Sequence, residues 1–214
     1  MKRCIKYIVF LSVVCLFSFC TKFGKNITIK GRVLNPITGE PISGITVFLY
    51  KADNFKTIKE TISNTDGTFE LDANYLGTAY AQINYDNYQQ YYNLGWLYNG
   101  KYYLAKQVTK GKVMHLDYHL VPYGQLHWHI KNVNCEGATD TLWYKIKYQY
   151  DDDFLPAWSF PIIGCADIDE NGSDKEVMGN HIIYMKIKRP SGTIYKYDTV
   201  YVQEEGITNF DLFY

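Results

Sequence analysis

The chain has 214 residues, enough for one large domain or two small ones, and its 47% hydrophobic and 21% charged residues exclude wholesale disorder. The 22 basic and 22 acidic side chains cancel, so no global field draws the protein to nucleic acid or to an anionic membrane surface. Aromatic residues reach 17%, with 21 Tyr and 11 Phe, and rings of that kind fit the pleated, half-buried surface of a sheet.

In chain order, Lys2, Arg3 and Lys6 precede YIVFLSVVCLFSFC, an apolar run that closes on Cys20 before polarity returns in TKFGKN. About fifteen apolar residues fall short of the roughly twenty that span a bilayer, so residues 1–20 read as a secretory signal. The end of the run resembles the lipobox of bacterial lipoproteins. That resemblance implies diacylation of Cys20, a tether over residues 21–26 and attachment to a membrane through lipid rather than a spanning helix; the alternatives are cleavage to a plain secreted protein and an uncleaved anchor. Cys4 and Cys15 leave with the signal, so Cys135 and Cys165 remain as an even pair in an oxidising compartment. A bridge between them closes a loop of about thirty residues, worth roughly 3–4 kcal/mol in the chain-entropy model; the alternative is two buried thiols.

From residue 27 the repeat is that of strands. In ITIKGRVLN, Ile27, Ile29 and Val33 share one face, and in ITVFLY, Ile45, Val47 and Leu49 do the same. Between them, Asn35, Pro36, Gly39, Pro41 and Gly44 carry turn chemistry. TIKETIS gives a third strand, and Asp66-Gly67 in NTDGTFEL is a strong hairpin signal. GRVLNPITGEPISGITVFLY with NTDGTFEL resembles the carboxypeptidase-regulatory-like (transthyretin-like) domain in the form common on exported proteins of Bacteroidetes. Gly31, Val33, Thr38, Gly39, Pro41, Gly44, Val47, Asp66, Gly67 and Phe69 sit where that pattern has such residues. The resemblance implies a prealbumin-like β-sandwich over 27–121, without catalytic residues of its own, packed beside enzymes, receptors or other modules.

TAYAQINY, KYYLAKQV and KVMHLDYHL read as further strands of the first domain. VPYGQ, with Pro122 and Gly124, breaks the pattern and marks the boundary of a second domain over 122–214. There QLHWHIK, TLWYKIKYQY, WSFPIIG, NHIIYMKIKR, TIYKYDTVYV and TNFDLFY are strand-like, and PSG is a hairpin turn. The expected fold is all-β, two antiparallel β-sandwiches, the second resembling no family.

Three groups of residues stand out as candidate sites. In CADIDENGSDKE, the spacing of Asp167, Asp169, Asn171 and Gly172 is the opening of a calcium loop, with Asp174 or Glu176 in place of the missing terminal Glu; the alternative is a solvated acidic turn. His115, His119, His127 and His129 alternate onto outward faces, where a transition metal or plain solvent can meet them. Tyr85, Tyr88, Tyr91, Tyr92, Trp96 and Tyr98 crowd a segment rich in Asn, Gln and Gly, either a platform for sugar rings or protein contacts, or the filling of the sandwich. The chain has no G-x-S-x-G, H-E-x-x-H, P-loop or dinucleotide fingerprint. The reading is a non-catalytic, lipid-anchored envelope protein, a binding or scaffold module with no resident cofactor beyond calcium and no nucleic-acid partner. Its partners are the membrane and a glycan or another envelope protein. Its alternatives are a glycan-binding protein and an accessory subunit of an exported hydrolase or transporter. The resemblance to exported proteins of Bacteroidetes implies a diderm envelope. TKFGKN after Cys20 lacks the acidic cluster that surface-exported lipoproteins of that phylum tend to carry, which favours the periplasmic side of the outer membrane.

Overall fold

The computed structural model describes residues 26–84, 90–170 and 174–214, and none of these is helical. The leader with Cys20, the tether to residue 25, Tyr85, Tyr88, Asn171 and Gly172 lie outside the described residues. The described residues form two compact units: 26–34, 39–84 and 95–119 make the first, and 35–38, 90–94 and 120–214 the second. The division is therefore not a single cut, since two short stretches of the N-terminal half count with the second unit.

The first unit holds β1 (Asn26–Leu34), β2 (Thr46–Lys51), β3 (Thr57–Ile62), β4 (Thr68–Asn74), β5 (Ala79–Ile83), the later part of β6 (Tyr91–Tyr98), β7 (Lys101–Tyr103), β8 (Lys106–Gln107), β9 (Val113–His115) and the start of β10 (Asp117–Lys131). In one sheet β1 pairs antiparallel with β4 and parallel with β9 and with Tyr118 and His119 of β10. The other sheet runs β3-β2-β5-β8 and is antiparallel throughout. Ile27, Ile29 and Val33 of β1 and Val47 and Leu49 of β2 are buried, so the expected two-residue repeat closes one core. Asp66 Oδ1 accepts hydrogen bonds from the Thr68 N–H and hydroxyl, and Gly67 adopts a φ of 73°, where a Cβ is unfavourable.

Two expectations change here. KYYLAKQV is not one strand: β7 pairs with β6, whereas β8 pairs with β5 in the other sheet, so the chain crosses over at Leu104 and Ala105. Nor does VPYGQ break the pattern, because Asp117–Lys131 is one strand of 15 residues. Pro122 lacks an N–H, but its carbonyl accepts one from Met178. A Cβ on Gly124 would run into the Gln203 carbonyl, so this glycine permits close backbone approach rather than a turn.

The second unit holds β10 from Leu120 onward, β11 (Thr141–Tyr148), β12 (Ile162–Ile163), β13 (Asp167–Asp169), β14 (Asp174–Val177), β15 (Gly179–Arg189), β16 (Gly192–Val202) and β17 (Ile207–Phe213). One sheet runs β12-β11-β15-β16. In the other, β10 pairs antiparallel with β13 and β14 and parallel with β17. Leu126, Trp128 and Ile130 of β10 share a core with Leu142, Ile183, Met185, Ile187 and Leu212. A disulfide joins Cys135 to Cys165, as their count predicts, with Cα atoms 5.2 Å apart. Only Ile162–Ile163 of WSFPIIG is strand. The segment before it follows the edge of β11 irregularly, the Leu155 and Ser159 N–H groups donating to the Ile146 and Tyr144 carbonyls, while Pro156 and Pro161 have no N–H to offer. The acidic stretch read as a loop supplies β13 and β14 instead.

Candidate functional site

Of the expected aromatic platform, Trp96 is core. Its ring is 0% exposed, meets Phe69 at 5.8 Å and Tyr118 edge-on at 4.6 Å, and its indole N–H donates to the Ala81 carbonyl at 2.9 Å. A ring so enclosed, with its one polar atom satisfied inside, offers no face to a ligand. Tyr91 and Tyr92 are half-buried in the second unit. The Tyr92 hydroxyl donates to Asp151 at 3.1 Å, and burial with the Asp151 charge pushes its pKa up to about 12. Tyr98 is half-buried in the first unit, with the Lys106 ammonium 4.0 Å above its ring. Among the described residues of the segment, Tyr91, Tyr92, Trp96 and Tyr98 are packed or capped rings rather than an open platform.

The side chains expected around calcium are likewise engaged. Asp167 and Asp169 point to one face of β13, as residues two apart on a strand do. Asp167 meets Lys131 Nζ at 2.6 Å and His129 Nε2 at 2.9 Å, and Asp169 meets His127 Nε2 at 2.6 Å. Asp211 accepts from the other ring nitrogen of His129 at 2.9 Å. With both nitrogens donating, His129 is held as imidazolium and its pKa is raised by the bonds to Asp167 and Asp211; Lys131, then His129, lowers that of Asp167. Asp174 is exposed, whereas Glu176 is half-buried beside the Tyr148 hydroxyl, its pKa raised by burial. A calcium loop needs alternate oxygens converging on one point; here Asp167 is engaged by Lys131 and His129 and Asp169 by His127, while Asn171 and Gly172 lie outside the described residues. Among the described residues, no group of three metal-ligating side chains is placed to hold a metal ion. His119, expected outward, is 8% exposed, 2.9 Å from the Tyr102 hydroxyl, and burial lowers its pKa.

The solvent-facing aromatic surface of the second unit lies elsewhere, on the outer face of β12-β11-β15-β16. Strand alternation turns Leu142, Ile183 and Val200 into the core and sends the intervening residues outward. β11 thus presents Trp143, Lys145 and Lys147, and β15 presents Ile182, Tyr184, Lys186 and Lys188. β16 adds Tyr195, Tyr197 and Tyr201. Tyr184 sits opposite Tyr197 across the strand pair, their rings 4.7 Å apart and 20° from parallel, and meets Tyr195 at 5.8 Å and 18°. Phe154 and Trp158, from the segment along the edge of β11, tilt against Tyr184 at 5.7 and 5.5 Å. Tyr195 and Tyr197 nevertheless stay 55% and 65% exposed. Lys145 lies 4.9 Å over Trp158 and Lys186 5.3 Å over Trp143. Desolvation by these neighbours, then the adjoining Tyr197 and Tyr195, raises the Tyr184 pKa. The alternation of TLWYKIKYQY and TIYKYDTVYV contains the signal for this face, once the apolar positions are assigned to the core.

The first unit has a smaller counterpart, a groove of about 440 Å³ lined by Phe48, Tyr50, Phe55, Gln82, Leu104 and Ala105. Phe55 has a φ of 56°, is 77% exposed, and lays its ring on Tyr50 at 5.8 Å.

Residues 28–117 match the carboxypeptidase regulatory-like domain family, the family that the Gly31–Phe69 pattern resembles. Residues 28–117 are a domain of that kind, and the fold of the described residues is an all-β sandwich architecture. No curated protein sequence matches the chain significantly. Among solved structures, a streptococcal ancillary pilin aligns at 8% identity and a TM-score of 0.36, over 88% of this chain and 62% of its own. The minor pilin of Streptococcus agalactiae aligns at 12% identity and 0.34, over 87% and 94%. The shaft pilin SpaA of Lactobacillus rhamnosus GG aligns at 7% and 0.33, over 89% and 97%. The chain thus spans less than two thirds of the ancillary pilin. Likenesses of this size carry no functional information.

Proposed function

We propose that the chain is a non-catalytic module of a bacterial cell envelope, anchored by lipid on Cys20, that binds or scaffolds through the outer sheet face of its second unit. The observation that carries this reading is a carboxypeptidase regulatory-like domain at 28–117 directly after a basic and apolar leader ending on a cysteine. Domains of that family serve beside other modules and bring no catalytic residues of their own. The Cys135–Cys165 disulfide supports export, because such bonds persist in oxidising compartments. The exposed rings of Tyr195 and Tyr197 support binding, since contiguous solvent-facing aromatic surface marks interaction sites.

The experiment is metabolic labelling with a fatty-acid probe in a diderm host, followed by membrane fractionation. The chain takes the label and sediments with the outer membrane, and Cys20→Ser abolishes both. Label persisting in Cys20→Ser, or a soluble unlabelled wild-type chain, contradicts the proposal.

A further inference from the structure

The outer face of β11, β15 and β16 combines two properties that seldom coincide. Its rings are exposed although they are large, and the charges on the outward positions of the three strands are all positive although the chain as a whole is neutral and Asp152 and Asp153 lie beside Lys147 at the edge. Lys145, Lys147, Lys186 and Lys188 point outward from β11 and β15, and none of the outward positions on the three strands is Asp or Glu. Lys145 and Lys147 donate to the main-chain carbonyls of Pro156 and Asp152, which orients them without cancelling their charge. Among the described residues, no ion pair engages these four lysines.

We propose that this face binds an acidic polysaccharide, a chain of pyranose rings bearing carboxylates, with Tyr195 and Tyr197 taking the sugar faces and Lys145 and Lys186 meeting the carboxylates. The inference rests on the reading of the chain as a binding module and names its ligand. The π face of an aromatic ring is the negative side of its quadrupole, so it attracts the C–H hydrogens on the apolar side of a sugar, which the ring oxygens polarise. Tyr184 stacks on one side of Tyr195 and of Tyr197, Phe154 tilts towards Tyr197 at 6.3 Å, and both tyrosines keep more than half of their surface in solvent. Lys145 and Lys186 lie over the faces of Trp158 and Trp143 on the same side of the sheet as Tyr195 and Tyr197, so a saccharide lying on the two tyrosines has ammonium groups beside it. A neutral glycan would leave those charges without partners. An apolar protein surface would have to bury them, and Lys is depleted at the centre of protein interfaces for that reason.

The test is titration of the full chain with alginate, a polyuronate, at low salt, followed by tryptophan fluorescence. Binding saturates, weakens as salt screens the lysines, and exceeds binding to neutral dextran. Tyr195→Ala with Tyr197→Ala weakens it on the order of tenfold or more, as loss of ring stacking does elsewhere. Lys145→Gln with Lys186→Gln weakens it and flattens the salt dependence, while the melting temperature stays at the wild-type value in both double variants. No binding of alginate, or binding that neither double variant alters, overturns the proposal. So does tighter binding of an oligothymidylate that the same variants abolish, because rings and cations also suit single-stranded nucleic acid. If alginate fails while fatty-acid labelling at Cys20 holds, the ligand class falls and the envelope reading stands.

Discussion

The segment Tyr91–Tyr98 and the outer face of β11, β15 and β16 are both rich in tyrosine and tryptophan, yet Trp96 and Tyr197 end in opposite places. Trp96 is enclosed by Phe69 and Tyr118 and bonded to Ala81, whereas Tyr197, equally aromatic and on an equally regular strand, keeps most of its surface in solvent. The difference lies in the neighbouring strands. Trp96 shares a side of its sheet with residues that face a second sheet, while Tyr197 occupies the side of β16 opposite to Val200 and Val202, which have already filled the core. Density of aromatic residues along the chain therefore says little about binding, and the register against the apolar set decides it.

The largest effect separating the two regions is on stability. Trp96→Ala removes a fully buried ring and a satisfied indole, and we expect a loss of about 3–5 kcal/mol in denaturant unfolding. Tyr197→Ala should stay within about 0.5 kcal/mol of wild type, as exposed substitutions do. Equal losses at the two sites would erase the contrast.

The next effect concerns the disulfide. Replacing Cys135 and Cys165 by Ser frees a loop spanning 30 positions, and the chain-entropy relation gives roughly 3–4 kcal/mol of destabilisation. The loss belongs to the second unit, so Trp96 should keep its protected fluorescence while the environment of Trp143 and Trp158 changes at lower denaturant. Simultaneous exposure of all the tryptophans in the mutant would remove that distinction.

The smallest effect is electrostatic. His129 has its pKa raised by Asp167 and Asp211, so its contribution is complete below the ordinary histidine value of about 6.5 and is lost as pH rises through the higher folded value. Burial lowers the pKa of His119 and His181, so their effect has the opposite sign and weakens the fold as pH falls through the same region. The stability difference between wild type and His129→Gln isolates the first of these. It should shrink as pH rises above about 6.5, and a difference that stays constant or grows contradicts the pairing of His129 with Asp167 and Asp211.

Much of the first unit was legible because its turns are chemically explicit. Asp66-Gly67 forms the hairpin its residue types require, and Ile27, Ile29, Val33, Val47 and Leu49 point inward as alternation says. The cysteine pair was legible from compartment and count. Crossings between sheets were not: the change of partner at Leu104 and Ala105 leaves no trace in a period of two, because both halves remain extended. Pro122 and Gly124 misled because their turn chemistry is permissive; a strand tolerates both where one carbonyl finds an outside donor and another backbone comes close. The acidic stretch misled for a related reason, since carboxylates spaced for a metal loop are also spaced for one face of a strand, and His127, His129 and Lys131 of the neighbouring β10 meet Asp167 and Asp169 on that same face. The aromatic face of the second unit was present in the alternation of β11 and β16, but composition drew attention to the denser run upstream.

The exposure contrast can be read directly by mild nitration of the native chain with tetranitromethane, with modified tyrosines located by mass spectrometry at increasing reaction times. Tyr195 and Tyr197 should be modified first, and Tyr118 and Tyr214, which are fully buried, only after unfolding. Modification of Tyr118 as fast as Tyr197 in the folded protein would contradict the assignment of one aromatic region to the core and the other to the binding face.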